Sequence, residues 1–381
     1  MSMAIGSGIS SQIMAVQETV PGGPGTYGVI PTDWSQAAAY EFKSEKFALK
    51  KTTVQGQGLH AGGLYDRAKR RVLSTYAASG ELTMDLPCNG LGLLLQNALG
   101  SFGQAAAAPT LVSGSTVGYQ QVHNPGTLLG SSLCIQKGVP ATDGTVQAFT
   151  YSGGKITSWT ITCEVNQIAE FQAEFDFRNE VAGSGNGDPL NTSVPALQVP
   201  DYPVGMQLFH FREATLYTGG TASLDSSTGI TTMTGQTAAA QVSKASVKHA
   251  NSLDTTRFFL GSNGFKDEQI EDGFRKITGS FTSEWQSTEL MYDAFSADTT
   301  TSLLLSFVGP VIDSGANYGL EILVPNIKLD GESPAVSGPK VVTQDVTFTG
   351  LDDEATTPIQ VTYTSTDSAL TGYVAPPGSG S

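Results

Sequence analysis

The feature that most limits what this chain can fold into is the alternation of side chains across residues 156–177. Ile156, Ile161, Cys163 and Val165 make one apolar row, and a turn near Asn166-Gln167 reverses the chain. Phe171, Ala173, Phe175 and Phe177 make a second row, with Glu170, Gln172, Glu174 and Asp176 on the opposite face. A period of two belongs to strands, so the segment predicts an antiparallel hairpin with one core face and one acidic face.

The elements around it occur twice. In the first half, a strand at about 44–52 and a Gly-rich loop at 53–68 lead to Gly80-Glu81-Leu82-Thr83-Met84-Asp85-Leu86, with Leu82, Met84 and Leu86 on the buried face. A helix follows: Leu91, Leu94, Leu95, Ala98 and Leu99 recur at helical spacing, with Asn89 at the N-cap position and Gly100 just past the end. In the second half, 242–251 reads as the matching strand. Gly279-Ser280-Phe281-Thr282-Ser283-Glu284-Trp285 matches the 80–86 run in residue type at most positions, and a helix is predicted over 288–297. A last hairpin, 320–329 with 341–348, corresponds to 156–177. Recurrence of one order of elements reads as a tandem duplication.

The expected division is an extended arm over 1–43, a first unit over 44–180, a linker over 181–204, a second unit over 205–371 and a flexible tail over 372–381. At 381 residues, two domains of ordinary size fit, and a hydrophobic fraction of 39% can supply their cores. Charged residues make up only 14%, against roughly 25% in typical soluble domains. So bare a surface implies that partners cover much of it. The net charge of −15 disfavours stable nucleic-acid binding, which needs cations to displace counterions from phosphates.

Catalytic chemistry is not signalled. The four histidines, His60, His123, His210 and His249, lack metal-ligand spacing. Cys88, Cys134 and Cys163 lie far apart and read as buried thiols. The run 151–156 contains Gly-Lys without the rest of a phosphate loop, and 351–358 is acidic without the ligand pattern of a calcium loop. Asp85 and Glu174 read as solvated strand positions. No cofactor, metal or enzymatic activity is expected. The opening residues lack a basic region before an apolar run, so no export signal is expected, and no apolar stretch is long enough to span a membrane as a helix. Arg67, Lys69, Arg70 and Arg71 form the one concentrated basic patch, best suited to acidic surface on a neighbouring subunit, with Trp34 as a further anchor for such contacts.

Four stretches together resemble the tail tube proteins of long-tailed, non-contractile bacteriophages (siphophages). They are YDRAKRRVLSTYAASGELTMDLPCNGLGLLLQNALGS, ITSWTITCEVNQIAEFQAEF, GFRKITGSFTSEWQSTELMYDAFSADTTTSLLLSFVG and VTQDVTFTGLDDEATTPIQVTYTSTDSAL. They occur in order over about residues 40–370. The resemblance implies a mainly β fold, with β-sandwich or barrel units each flanked by a helix. It also implies assembly into rings that stack as a hollow tube. Such rings usually hold six units, so a tandem chain would need three copies in a trimer with pseudo-sixfold symmetry, the alternative being a hexamer of whole chains. At about four strands per unit, the inner barrel would have about 24.

The implied partners are the chain itself, a tape measure protein in the lumen, terminator and distal tail proteins at the ends, and double-stranded DNA passing without stable binding. The implied location is the virion tail, assembled in the host cytoplasm. On this resemblance Glu170, Glu174, Asp176, Glu321 and Asp345, with Asp85 and Glu284, are expected to face the lumen, where like charge keeps DNA from adhering; the alternative is that they are ordinary solvated strand positions on the outside. Loops at 53–68 and 218–240 and the N-terminal arm are the candidates for ring-to-ring contacts. The alternative is another virion component, such as a distal tail, decoration or carbohydrate-binding protein.

Overall fold

A computed structural model describes residues 8–18, 27–203, 205–239, 241–285, 292–331, 333–334, 336 and 338–370. The 372–381 tail and residues 288–291 of the second expected helix lie outside them. The alternating segments form strands, and nineteen strands join one hydrogen-bonded network. Its principal strands in the first half are β1 (Gln12–Gln17), β2 (Ala38–Tyr40), β3 (Ala48–Gln55), β4 (Arg71–Asp85), β5 (Leu133–Pro140), β6 (Val146–Glu164), β7 (Glu170–Phe177) and β8 (Asn179–Ala182). In the second half they are β9 (Ala214–Thr218), β10 (Thr237–Ala238), β11 (Val242–Ala250), β12 (Lys276–Glu284), β13 (Thr301–Asp313), β14 (Ala316–Asp330), β15 (Thr343–Gly350) and β16 (Gln360–Ser365). The fold is mainly β, with helices α1 (Gly92–Leu99) and α2 (Tyr292–Ser296) each following the strand that ends at Asp85 or Glu284.

The order of pairing recurs. In the first half β3 pairs with β4, β4 with β7 and β7 with β6. In the second, β11 pairs with β12, β12 with β15 and β15 with β14. The long strands β6 and β14 then pass into a second sheet. There β2, β1, β5, β6 and β8 are matched by β10, β9, β13, β14 and β16. Gly80 lies opposite Phe175 and Gly279 opposite Phe348. A Cβ at either glycine would collide with a backbone carbonyl, of Lys46 or of Ser246. The recurring glycine therefore answers to the same close approach of the neighbouring strand in both halves.

The core lies between the two sheets. Phe47, Tyr151, Phe175 and Phe177 pack with ring centroids 5.1–5.7 Å apart in tilted, edge-on and stacked pairs. Every residue of α1 is buried, and Gly100 ends the helix in the left-handed conformation at φ 77°. Asn89 does not cap it. Gly90 takes φ 81°, which turns the chain between Asn89 and the helix start at Gly92. Asn89 instead donates to Thr366 Oγ1 at 2.7 Å. The second half holds both ends of α1: Asp367 accepts from the Gly90 N–H at 2.7 Å, while Asn251 and Arg275 donate to the carbonyls of Ala98 and Leu99 at 2.9 and 3.1 Å. The last carbonyls of a helix lack intrahelical partners, which explains why the Asn251 side chain is buried there.

Three expectations about loops differ from the structure. The N-terminal segment read as an arm contributes β1, whose Ile13–Val16 are buried against β5. The residues after β8, read as a linker, lie along the first half: Asp188 is buried and ion-paired with Arg178, and the Gln198 N–H donates to Gln136 Oε1 at 2.7 Å. The 218–240 stretch holds a hairpin, Thr221–Asp225 with Ile230–Thr234, tied to its own chain by Gln360 through Thr231.

Candidate assembly surface

Strand β6 also pairs with β11, which joins the two four-strand sets edge to edge. The result is one sheet of eight strands in the order β3-β4-β7-β6-β11-β12-β15-β14. Residues directly opposed on neighbouring strands share a face. Asp85, Glu170, Thr162, Ser246, Ser280, Thr347 and Asp330 therefore form one row across it, and Thr83, Gln172, Thr160, Lys248, Thr278, Thr349 and Lys328 form the next. The other face carries Phe171, Ala173, Ile161, Val247, Phe281 and Val346, all buried. The sheet thus turns an apolar face to the core and a face rich in Thr and Ser outward.

The charges on that outward face are largely paired. Lys43 reaches Glu170 at 2.9 Å and Asp85 at 3.5 Å, Lys46 reaches Glu81 at 3.2 Å, and Lys244 reaches Glu164 at 3.1 Å. Glu170 and Asp85 are directly opposed, a repulsive pairing that Lys43 offsets; its hydrogen bond to Glu170 raises the Lys43 pKa. Glu174 is exposed and accepts from Ser158 Oγ at 3.0 Å, and Asp345 accepts from Thr282 Oγ1 at 2.6 Å.

Of the seven carboxylates expected on one face, Asp85, Glu170, Glu174, Glu284 and Asp345 share it. Asp176 shares their alternation but is buried, because the loop between β11 and β12 covers that end of β7 and places Lys266 Nζ 2.6 Å from it. Glu321 lies where β14 pairs with β13 and β16, in the other sheet. Trp34 packs with Met14, Val16 and Cys134 in a small core, 9% exposed, so it is not available for contacts between subunits. Arg67, Lys69 and Arg71 are exposed on the loop from β3 to β4 and its edge, while Arg70 donates to the Gly58 carbonyl at 2.5 Å.

The seam between β6 and β11 is closed by residues that sequence patterns did not single out. Trp159 and His249 are directly opposed, buried and stacked at 5.8 Å. Burial pushes the His249 imidazole down to about 3, so it is neutral. The 251–275 loop of the second half crosses the seam onto the first: Lys266 pairs with Asp176, Glu268 with Lys155 at 2.7 Å, and Phe265 stacks on Tyr76 at 5.0 Å. Desolvation raises the Asp176 pKa and lowers that of Lys155, so each depends on its partner to stay charged. The available signal was a lysine inside the apolar row, Gly154-Lys155-Ile156, which needs a buried carboxylate from elsewhere.

The outer ends of the sheet are different. Among the described residues, β3 pairs with β4 alone, and Lys328–Asp330 of β14 pair with β15 alone. Around the β3 end, Val54, Leu59, Leu64, Tyr65 and Val72 are each more than half exposed. A family profile for phage tail tube proteins matches residues 8–350. The chain belongs to the phage tail tube protein family. No curated protein matches it. Tail tube proteins are structural components of the virion tail that assemble with copies of themselves.

Proposed function

We propose that this tail tube protein is a tandem duplication whose eight-stranded sheet forms a third of each ring wall, with the Thr- and Ser-rich face towards the lumen. One observation carries the reading: the same four-strand order occurs in both halves, and the halves already join edge to edge within one chain. Three copies would then close a pseudo-sixfold barrel of about 24 strands. Diameter grows with strand number, and such a barrel is wider than the 16–18-stranded porins that already enclose an aqueous channel.

Stacked rings would form the tail of a siphovirus particle assembled in the host cytoplasm. A tape measure protein would fill the tube first, terminator and distal tail proteins would close its ends, and DNA would pass at ejection. A hydroxyl-lined wall carrying Asp85, Glu170, Glu174, Glu284 and Asp345 offers phosphates hydration and like charge in place of cations, so DNA slides without catching.

Electron microscopy of the purified chain should reveal stacked hollow rings; monomers alone under assembly conditions would contradict the reading. Replacing Glu170, Glu174 and Asp345 by lysine should leave tubes intact and slow genome delivery. Unchanged delivery would remove those residues from the lumen wall.

A further inference from the structure

The closed seam inside the chain specifies, residue by residue, how an open edge should be met. In that seam Ala250 of β11 lies opposite Ser158 of β6, with both side chains on the polar face. The paired glycines align the halves. Gly80 and Gly279 put Phe175 in register with Phe348, and so Ser158, opposite Glu174, with Asp330, opposite Thr347. The same alignment matches Val247, opposite Gly279, with Phe47, which the β3–β4 register sets opposite Gly80; Ala250 then matches Lys50. We infer that in the ring the β3 edge of one copy pairs with the β14 edge of a second copy, in the register that sets Lys50 opposite Asp330.

Charge supports this register, because the transposed positions carry a lysine and an aspartate where the internal seam carries Ala250 and Ser158. Burial supports it independently. In the closed seam the loop after β11 lies over the neighbouring half, with Phe265 at 2% and Gln269 at 0% exposure. The corresponding loop after β3, residues 56–70, leaves Leu59 at 101% and Tyr65 at 89% exposed. A second copy seated on the edge would cover these side chains laterally, within one ring. The occupant is therefore a copy of this chain presenting β14 and β15.

This inference rests on the tube reading, and the test separates them. The full-length chain carrying Lys50→Cys and Asp330→Cys is assembled, oxidised and run without reductant. Directly opposed positions lie within disulfide reach, and the native cysteines Cys88, Cys134 and Cys163 are buried. The expected product is a closed covalent trimer, formed about tenfold more efficiently than with Lys50→Cys and Lys328→Cys, which is two residues out of register. Rings without cross-links, or a preference for Lys328→Cys, overturn the seam while leaving the tube reading intact. An open-ended ladder would place the contact between rings and overturn it too. Wild-type chains that form no ring would overturn the tube reading and this inference together. A charge exchange needs no oxidation: Lys50→Asp should cut ring yield, and adding Asp330→Lys should restore it. A double variant as defective as the single one would overturn the pairing.

Discussion

The seam between β6 and β11 and the open edges at β3 and β14 occupy matching positions in the two halves, yet their chemistry is opposite. The seam is apolar inside, with Trp159 on His249 and Ile161 on Val247, and its crossing loop is held by buried ion pairs. The open edges carry Lys50, Lys51, Lys328 and Asp330 along their strands. An edge left unpaired in a free chain invites indiscriminate pairing, and lysines are a common guard against it. The difference teaches that one half-to-half contact is built for permanence and the other for admission of a correct partner. Buried ion pairs tie the crossing loop across the first; in the proposed ring, complementary surface charges select the second.

That contrast can be broken most forcefully at the seam. Lys266→Ala strands Asp176 as a buried unpaired carboxylate and should cost about 3–5 kcal/mol in denaturant titration. Lys50→Ala at the open edge should stay within about 0.5 kcal/mol in the same assay on unassembled chains. Equal losses would erase the distinction. Gly80→Val and Gly279→Val test the equivalence of the halves, since each presses a side chain against the matching carbonyl. Both should lose about 1–3 kcal/mol; a near-neutral result at one would show that the two sites are not alike.

Acid should weaken the seam next. His249 has a folded pKa of about 3 against 6.5 unfolded, so its contribution is complete above pH 6.5 and is lost as pH falls towards 3. At pH 5 this loss should be about 2 kcal/mol, read as the difference in pH dependence between wild type and His249→Phe, because the buried His123 and Glu18 titrate in both chains and cancel in that difference. A further small effect belongs to the polar face. Lys43 is half exposed, so Lys43→Ala should cost no more than about 1 kcal/mol despite its two carboxylate partners.

Much of the fold was legible because alternation is local. The 156–177 hairpin, the strand before α1, the Gly100 helix end and the repeated order of elements all rest on side chains that are neighbours in sequence. The errors share one cause, which is coverage by distant residues. Asp176 reads like Glu174 until the 251–275 loop is known to cover it, and Trp34 reads as an anchor for partners until β1 and β5 supply it with Met14, Val16 and Cys134. Asn89 has the right type for a cap, but the left-handed Gly90 directs it elsewhere. The polar face also proved more hydroxyl-rich and more internally neutralised than the alternation of β7 alone implies, because its lysines come from other strands.

The proposed ring is tested most directly by one number, the count of chains it contains. Mass measurement of isolated rings should give three copies, with six matching lobes in projection. A ring of six whole chains would contradict it, because the internal seam could not then be the template for the contact between chains.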